Sequence, residues 1–146
     1  MTANSDILFL SLPLNKETHH IIDNSILNTM KPNALIINVA RGAIVDTEAL
    51  INTLDRNRLG GYATDVYEKE KGIFFYDHSD NPPEDPLLEK LLKHPKILLT
   101  PHQAFATTEA LRNIAATTVA SCDFWELDEP SRTTIYPIKK NENDTV

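Results

Sequence analysis

The sequence lacks several features that would assign it to a specialised class of protein. Its single cysteine, Cys122, excludes an internal disulfide and fits a reducing compartment. No apolar run approaches the roughly 20 residues that a membrane helix needs, and no basic flank precedes the first apolar run, as a signal peptide would require. We therefore expect a cytoplasmic protein that has no membrane partner.

Basic residues are scarce as well. The chain has 14 Lys and Arg against 21 Asp and Glu, which gives a formal net charge of −7. A nucleic-acid surface needs clustered Lys and Arg, and Lys139–Lys140 is too short a patch to form one. The neighbouring His19 and His20 have no Cys or Glu partner at metal-ligand spacing. The sequence therefore predicts neither a nucleic-acid partner nor a metal site.

Glycine is the third scarcity. The four glycines, Gly42, Gly60, Gly61 and Gly72, cannot be arranged as G-x-G-x-x-G. That motif forms the turn that holds the pyrophosphate of a dinucleotide. The sequence therefore contains no phosphate-binding turn of this kind.

Short apolar runs alternate with helical patterns along the chain. Strands are predicted at 6–12, 34–39, 62–66 and 96–100. Helices are predicted over 23–30, 46–58, 86–92 and 107–127, with Gly60–Gly61 as the C-cap of the second. The first run is apolar at alternating positions on both faces, which is typical of a parallel strand covered on both sides. The class is α/β, as half of a doubly wound Rossmann-like parallel sheet with a C-terminal crossover helix.

Two further segments carry apolar residues whose burial can be predicted. The long loop 67–85 contains Phe74, Phe75 and Tyr76, so we expect it to pack on the rest of the protein. The last helix has an apolar stripe that we expect to be buried, with Cys122 as core packing and Trp125 as core or interdomain contact. The stripe consists of Leu111, Ile114, Ala115, Val119, Cys122 and Trp125.

Three titratable residues follow the ends of predicted strands. Arg41 follows the second strand, Glu70 comes five residues after Asp65 at the third, and His102 follows the fourth. Each alone could equally be a surface or loop residue. Because parallel strands end at one edge of a sheet, where such folds bind ligands, all three are candidates for one site.

The three residue types suit one reaction. The parallel N–H groups of Arg match a carboxylate, and His exchanges a proton near neutral pH. A neighbouring carboxylate favours the imidazolium form and orients the ring. Together they suit hydride transfer to the carbonyl of a 2-oxo acid, in which Arg holds the substrate carboxylate and His protonates the developing alkoxide.

The motifs NVARGAIVD, GGYATDVYEKE and LLTPHQAF resemble the D-isomer-specific 2-hydroxyacid dehydrogenases. The details DVYEKE at 65–70, GIFF at 72–75 and HQAF at 102–105 are similar to the fermentative D-lactate dehydrogenase branch. The likeness extends over about residues 5–127. It implies an NAD-dependent enzyme that interconverts pyruvate and D-lactate, or another small 2-oxo and 2-hydroxy acid pair.

The resemblance also implies site residues. Arg41 would bind the substrate carboxylate and lie beside the nicotinamide, and Glu70 and His102 would be the acid/base pair. Glu68 is the competing carboxylate, but the family motif places the catalytic one five residues after the Asp. Residues lining the cofactor would be Leu12, Pro13, Thr18, Val39, Ala40, Arg41 and Asp65, with Asp65 near the nicotinamide carboxamide.

The same resemblance predicts how the chain is organised. Residues 1–106 would be the C-terminal part of an NAD-binding domain, and 107–146 would be the crossover helix with the last piece of a substrate domain. The phosphate-binding turn would precede residue 1 in a longer enzyme, expected to be a homo-oligomer. The first strand would then be an apolar edge in the isolated chain. We expect that chain to be marginally stable, to associate or to need the missing half in trans.

Two alternative functions remain at this point. One is a family member that acts on a bulkier 2-hydroxy acid. The other is a non-catalytic remnant or binding module, because corepressors of the C-terminal binding protein type use the same fold for protein partners. An in-frame G-x-G-x-x-G in the upstream DNA would favour an enzyme over a binding module.

Overall fold

A four-stranded parallel sheet organises the first of two units, which divide between Ala104 and Phe105 in this computed structural model. The structure describes residues 2–129. The strands are β1 Ile7–Leu10, β2 Leu35–Asn38, β3 Gly61–Thr64 and β4 Ile97–Leu99, in the sheet order β1-β2-β3-β4. The helices of this unit are α1 Asn24–Thr29, α2 Thr47–Asp55 and α3 Pro86–Lys93. The predicted α/β class and the order of the elements are confirmed.

Only one face of this sheet is covered within the unit. Successive right-handed crossovers that advance in one direction place every helix on the same side. The register aligns Leu8, Ile36, Tyr62 and Ile97 across the covered face. These side chains belong to the core that the helices complete. The prediction that the first strand is covered on both sides is therefore wrong for this unit.

The other face of the sheet is open and apolar. Its central row aligns Phe9, Ile37, Ala63 and Leu98. Phe9 is 58% exposed and Leu98 66% exposed, and Ile7 and Leu35 are exposed in the adjacent row. β1 also forms one edge of the sheet, as expected. Parallel sheets are almost always buried on both faces, so this face needs a cover.

We expect the isolated 146-residue chain to self-associate through this open face. Replacing Phe9 and Leu98 together with lysine places two charges on the face and should shift sedimentation velocity profiles toward the monomer. Leu92→Lys is the matched control, because Leu92 is equally exposed but lies on α3, which covers the opposite face. A monodisperse wild-type monomer with a cooperative melt would contradict this expectation.

The helices of this unit begin within one residue of their predicted starts, but one helix end differs from its prediction. Asp23, Asp46 and Asp85 cap α1, α2 and α3 by accepting hydrogen bonds from backbone N–H groups. The prediction that Gly60–Gly61 caps the second helix is wrong. That helix ends at Asp55, and Asn57 adopts the left-handed conformation that terminates it, with φ of 54°.

Gly60 and Gly61 serve packing instead. A Cβ on Gly60 would lie 2.4 Å from the carbonyl oxygen of Asn33, in the turn before β2, and Gly61 is the first residue of β3. Gly60 is therefore required for the close approach of two backbone segments. Helix periodicity alone gives no signal of this contact.

The described residues of the second unit form one long helix, α4 Thr108–Glu126, capped by Thr107. None of its residues is buried, and both Cys122 and Trp125 are exposed. The expected burial of the apolar stripe is therefore wrong for the described residues, because none of those in this unit forms a second layer against which the helix could pack. The prediction that 107–146 completes a substrate domain falls partly outside the described residues. Among residues 2–129, no helix is long and apolar enough to cross a membrane.

Candidate active site

The carboxyl ends of all four strands lie at one edge of the sheet, and the candidate residues follow them. Arg41 comes three residues after β2, Asp65 directly follows β3, and His102 comes three residues after β4. Leu12 and Pro13 follow β1 in the same way. The parallel topology therefore gathers segments far apart in sequence at one edge, as the strand-end argument predicts.

His102 and Glu70 form a hydrogen-bonded ion pair. The Nδ1 atom of His102 lies 3.0 Å from Oε1 of Glu70. The His102 side chain is about one-third exposed and the Glu70 side chain about one-quarter exposed. The other oxygen, Oε2, accepts a hydrogen bond of 3.1 Å from the backbone N–H of Tyr67. Glu70 thus holds the imidazole by one nitrogen. The other nitrogen, Nε2, makes no hydrogen bond within residues 2–129.

Asp65 fixes the segment that carries His102. Its Oδ1 accepts hydrogen bonds from the Thr100 hydroxyl at 2.5 Å and the Gln103 N–H at 2.9 Å, and its Oδ2 accepts one from the Ala104 N–H at 2.9 Å. Its backbone carbonyl accepts from the His102 N–H at 2.8 Å. Asp65 therefore braces the turn in which His102 adopts the left-handed conformation, with φ of 52°.

These contacts also favour the charged form of Asp65. Burial alone would raise the pKa of its carboxyl group. The hydrogen bonds from Thr100, Ala104 and Gln103, together with the nearby His102, outweigh burial and lower that pKa. The family resemblance implies that Asp65 lies near the nicotinamide carboxamide, which stays a prediction. The bracing role was missed because it depends on residues 35 or more positions away.

Arg41 lies at the end of a turn built by Asn38. The fully buried Asn38 side chain donates hydrogen bonds to the Arg41 carbonyl, at 3.0 Å, and to the Tyr62 hydroxyl, at 3.3 Å. Its amide oxygen accepts a hydrogen bond of 3.0 Å from the Ala40 N–H. Asn38 lies in a predicted apolar strand, and its role in this turn was not predicted. Its signal was a single amide in a run of Leu, Ile and Val, where an unpaired polar group would be costly.

The Arg41 side chain is exposed and carries no ion pair within the described part of the chain. Its Nη1 donates 2.6 Å to the carbonyl oxygen of its neighbour Ala40. No hydrogen bond or ion pair joins Arg41 to Glu70 or His102. The guanidinium group therefore keeps most of its donors available for an anionic ligand.

Gly42 brings the Arg41 turn against the Glu70 segment. A Cβ on Gly42 would lie 2.1 Å from both Tyr67 C and Glu68 N. The two backbones can pack this closely only because residue 42 has no side chain. Gly42 therefore sets the separation between the turn that presents Arg41 and the segment that presents Glu70.

A cleft of about 430 Å³ opens beside Arg41 at the ends of β1 and β2. Of the predicted cofactor-lining residues, it includes Leu12, Pro13, Val39, Ala40 and Arg41. Its complete lining is Ser11, Leu12, Pro13, Leu14, Val39, Ala40 and Arg41. The structure thus brings five of the seven predicted cofactor residues to one cavity.

Thr18 and Asp65 do not line this cleft. The Thr18 hydroxyl donates a hydrogen bond of 2.7 Å to the Pro13 carbonyl and accepts one of 2.8 Å from the Asn15 N–H. It therefore closes the loop after β1 and holds Pro13 in place. A direct contact between Thr18 and a cofactor stays a prediction.

Glu68 and Glu70 were both candidates for the carboxylate beside His102, and in the structure they pair with different histidines. Glu68 pairs with His20, at 3.1 Å between Oε2 and Nε2, while Glu70 pairs with His102. Glu68 and His20 are 48 residues apart, so sequence spacing gave no indication of this pair. In the part of the chain that the structure describes, no group of three or more His, Cys, Asp or Glu is arranged to hold a metal ion.

Comparisons with known proteins agree with this architecture. Residues 1–104 match the family model for the D-isomer specific 2-hydroxyacid dehydrogenase, NAD binding domain. A 2-hydroxyacid dehydrogenase homolog of Zymomonas mobilis is 48% identical over 111 residues, which cover 76% of this chain and 34% of that protein. The chain thus spans about a third of the length of this relative.

Solved structures give the same picture. A D-lactate dehydrogenase of Treponema pallidum superposes with a TM-score of 0.85 at 34% identity, over 91% of this chain and 40% of that one. A D-lactate dehydrogenase of Lactobacillus jensenii with NAD⁺ gives a TM-score of 0.86 at 29% identity, over 93% and 41%.

Proposed function

This chain belongs to the D-isomer-specific 2-hydroxyacid dehydrogenase family, and on that premise we propose that it supplies the nicotinamide side and the proton-transfer group of an NAD-dependent dehydrogenase. The proposed reaction is reduction of a small 2-oxo acid, pyruvate in the simplest case, to the D-2-hydroxy acid. The observation that carries the proposal is the His102–Glu70 pair, on the same sheet edge as an exposed arginine that has no ion pair among residues 2–129.

Arg41 is the proposed binding group for the substrate carboxylate. A guanidinium group donates two parallel N–H bonds to a carboxylate, which fixes the orientation of the acid as well as its position. The buried Asn38 amide holds the Arg41 carbonyl, so the direction in which the side chain leaves the backbone is fixed before a ligand binds. This preorganisation reduces the entropy lost when the acid binds.

His102 is the proposed proton donor. Glu70 holds Nδ1, which leaves Nε2 to donate a proton to the carbonyl oxygen as negative charge develops there. In the reverse reaction Nε2 accepts the hydroxyl proton. Glu70 orients the imidazole ring, and Asp65 holds the turn on which the position of the ring depends.

The residues present fit the nicotinamide end of NAD. The cleft beside Arg41 is lined by the apolar side chains of Leu12, Pro13 and Val39, which suit the face of a flat ring. When bound, NADH supplies the hydride that is added to the carbonyl carbon of the substrate. The four glycines provide no G-x-G-x-x-G turn for the pyrophosphate, so the 146 residues fit one end of the cofactor.

Replacing Arg41 with lysine is expected to raise KM for pyruvate about 10- to 100-fold, with a smaller effect on kcat. Lysine keeps the charge but loses the paired N–H groups, so mainly binding is lost. The measurement is steady-state NADH oxidation by the complete gene product that contains these residues.

Arg58→Lys is the matched control for this experiment. Arg58 is exposed and precedes β3, so it lies at the amino ends of the strands, opposite the proposed site. Its replacement should therefore leave KM for pyruvate unchanged. An unchanged KM in the Arg41 variant would refute the assignment of the carboxylate to this residue.

A further inference from the structure

Phe75 is the one described aromatic side chain whose ring contacts the proposed proton donor. Its ring centroid lies 6.0 Å from that of His102, with 43° between the ring planes. The side chain is 72% exposed, so most of the ring faces open space beside the imidazole. Phe75 has no part in the sheet and none in the pairing of Glu70.

Both partners of this contact have left-handed backbone conformations. φ is 67° at Phe75 and 52° at His102. The left-handed region is unfavourable for residues with bulky side chains, and such strain tends to persist at functional sites, where surrounding structure enforces it. Histidine adopts this conformation more readily than most residues, so Phe75 is the unusual one, and its position beside the proposed proton donor indicates a function for the contact.

The loop around Phe75 enforces its position. The N–H groups of Ile73 and Phe74 both donate to the Glu70 carbonyl, at 2.9 and 3.0 Å, so the segment between Glu70 and Phe75 is a tight turn. Phe74 is buried beside Tyr67, with 6.5 Å between ring centroids. The Phe74 side chain is directed inward. The left-handed turn at Phe75 directs the Phe75 ring outward, toward His102.

A second contact closes the whole loop at its base. The Tyr67 hydroxyl donates a hydrogen bond of 2.8 Å to Oδ2 of Asp85. The other oxygen of Asp85, Oδ1, caps α3 by accepting hydrogen bonds from two backbone N–H groups at the start of that helix. Burial and the bond to Asp85 both raise the pKa of the Tyr67 hydroxyl, so it loses its proton less readily than an ordinary tyrosine does. The loop that carries Phe75 is thus joined at its two ends by the contact between Tyr67 and Asp85.

We propose that Phe75 is a specificity-determining residue whose ring forms the wall beside His102 against which the side chain of the 2-oxo acid lies. The wall limits the substrate to a short side chain at the carbon next to the carbonyl. This inference rests on the proposed function, because it takes His102 as the group facing the carbonyl oxygen. A rigid aromatic ring excludes a bulky substrate by steric overlap and contacts a small one by dispersion.

The test compares two substrates in the complete gene product. Phe75→Ala should raise the ratio of kcat/KM for 4-methyl-2-oxopentanoate to kcat/KM for pyruvate by about 10-fold or more, since each methylene accommodated in an apolar pocket is worth roughly 10-fold or more in specificity. Phe75→Leu should give an intermediate ratio. Tyr76→Ala is the matched control: Tyr76 is the next residue and equally exposed, and its variant should leave the ratio unchanged.

A second readout separates failure of this inference from failure of the proposed function. Ring-labelled histidine NMR should show that Phe75→Ala shifts the His102 ring resonances, whereas Tyr76→Ala does not. An unchanged substrate ratio, or a His102 signal unaffected by Phe75→Ala, would overturn the role of Phe75 while pyruvate reduction by the wild type continues. Absence of 2-oxo acid reduction by the wild type would instead overturn the proposed function, and this inference with it.

Discussion

Replacing His102 with alanine should reduce kcat for pyruvate by between about 100-fold and 10,000-fold, the range typical for loss of a general acid. The imidazole has a hydrogen-bonded carboxylate partner and a second nitrogen without a partner among residues 2–129, and it lies three residues after β4. Alanine removes the donor, and water in its place is neither oriented by Glu70 nor as acidic as an imidazolium ion. The measurement is NADH oxidation under substrate saturation.

Glu70→Gln should give a smaller loss of kcat, because glutamine can still bond to the ring but no longer stabilises its positive charge. His94→Gln serves as the control, since His94 contacts Asp55 and precedes β4 at the opposite edge of the sheet. That variant can lose some stability but should retain kcat. Near-normal pyruvate reduction by His102→Ala would refute the proton-donor assignment.

Replacing Gly42 with alanine should produce the largest loss of stability of any single methyl addition proposed for this chain. The new Cβ would lie 2.1 Å from two backbone atoms, Tyr67 C and Glu68 N, so neither neighbour can move by rotating a side chain. Overpacking of this kind costs about 3 kcal/mol or more when relief requires the main chain to shift. The measurement is urea unfolding, with the change in free energy taken from the midpoint at constant m-value.

Gly72→Ala separates this steric effect from the conformational cost of losing glycine. Gly72 has a φ of 80°, yet no atom lies within 4 Å of its hypothetical Cβ, so its replacement should cost only about 1 kcal/mol. The Gly42 variant should also lose pyruvate affinity beyond the loss of folded protein, because the Arg41 turn moves away from the Glu70 segment. Equal effects of the two substitutions would contradict the close-packing argument.

The sequence was sufficient to predict the parts of this structure that depend on local patterns. Apolar runs and helical periodicity placed the strands and helices, and the strand-end rule brought Arg41, Glu70 and His102 to one edge. The types of residue at this edge also predicted that a carboxylate would lie beside His102. These predictions succeeded because parallel strands impose a common direction, so positions along the chain determine positions along the sheet edge.

The remaining features depend on contacts between distant segments, which periodicity does not report. The Asp65 brace reaches across 35 or more residues, and the partnership of Glu68 with His20 across 48. An apolar strand pattern does not show whether both faces of the sheet are covered, and hence the exposure of Phe9 was not predicted. The stripe on α4 was likewise recognised as apolar, although its exposure depends on the layers around it.

The most direct test is whether Arg41 and His102 bind one molecule of acid together. The complete gene product, labelled with ¹⁵N at the arginine and histidine side chains and supplied with NADH, would be titrated with oxamate, a pyruvate isostere that resists reduction. The guanidinium signals of Arg41 and the Nε2 signal of His102 should shift along a single binding curve with the same Kd. A shift of one signal without the other, or two curves with different Kd values, would contradict a shared substrate site.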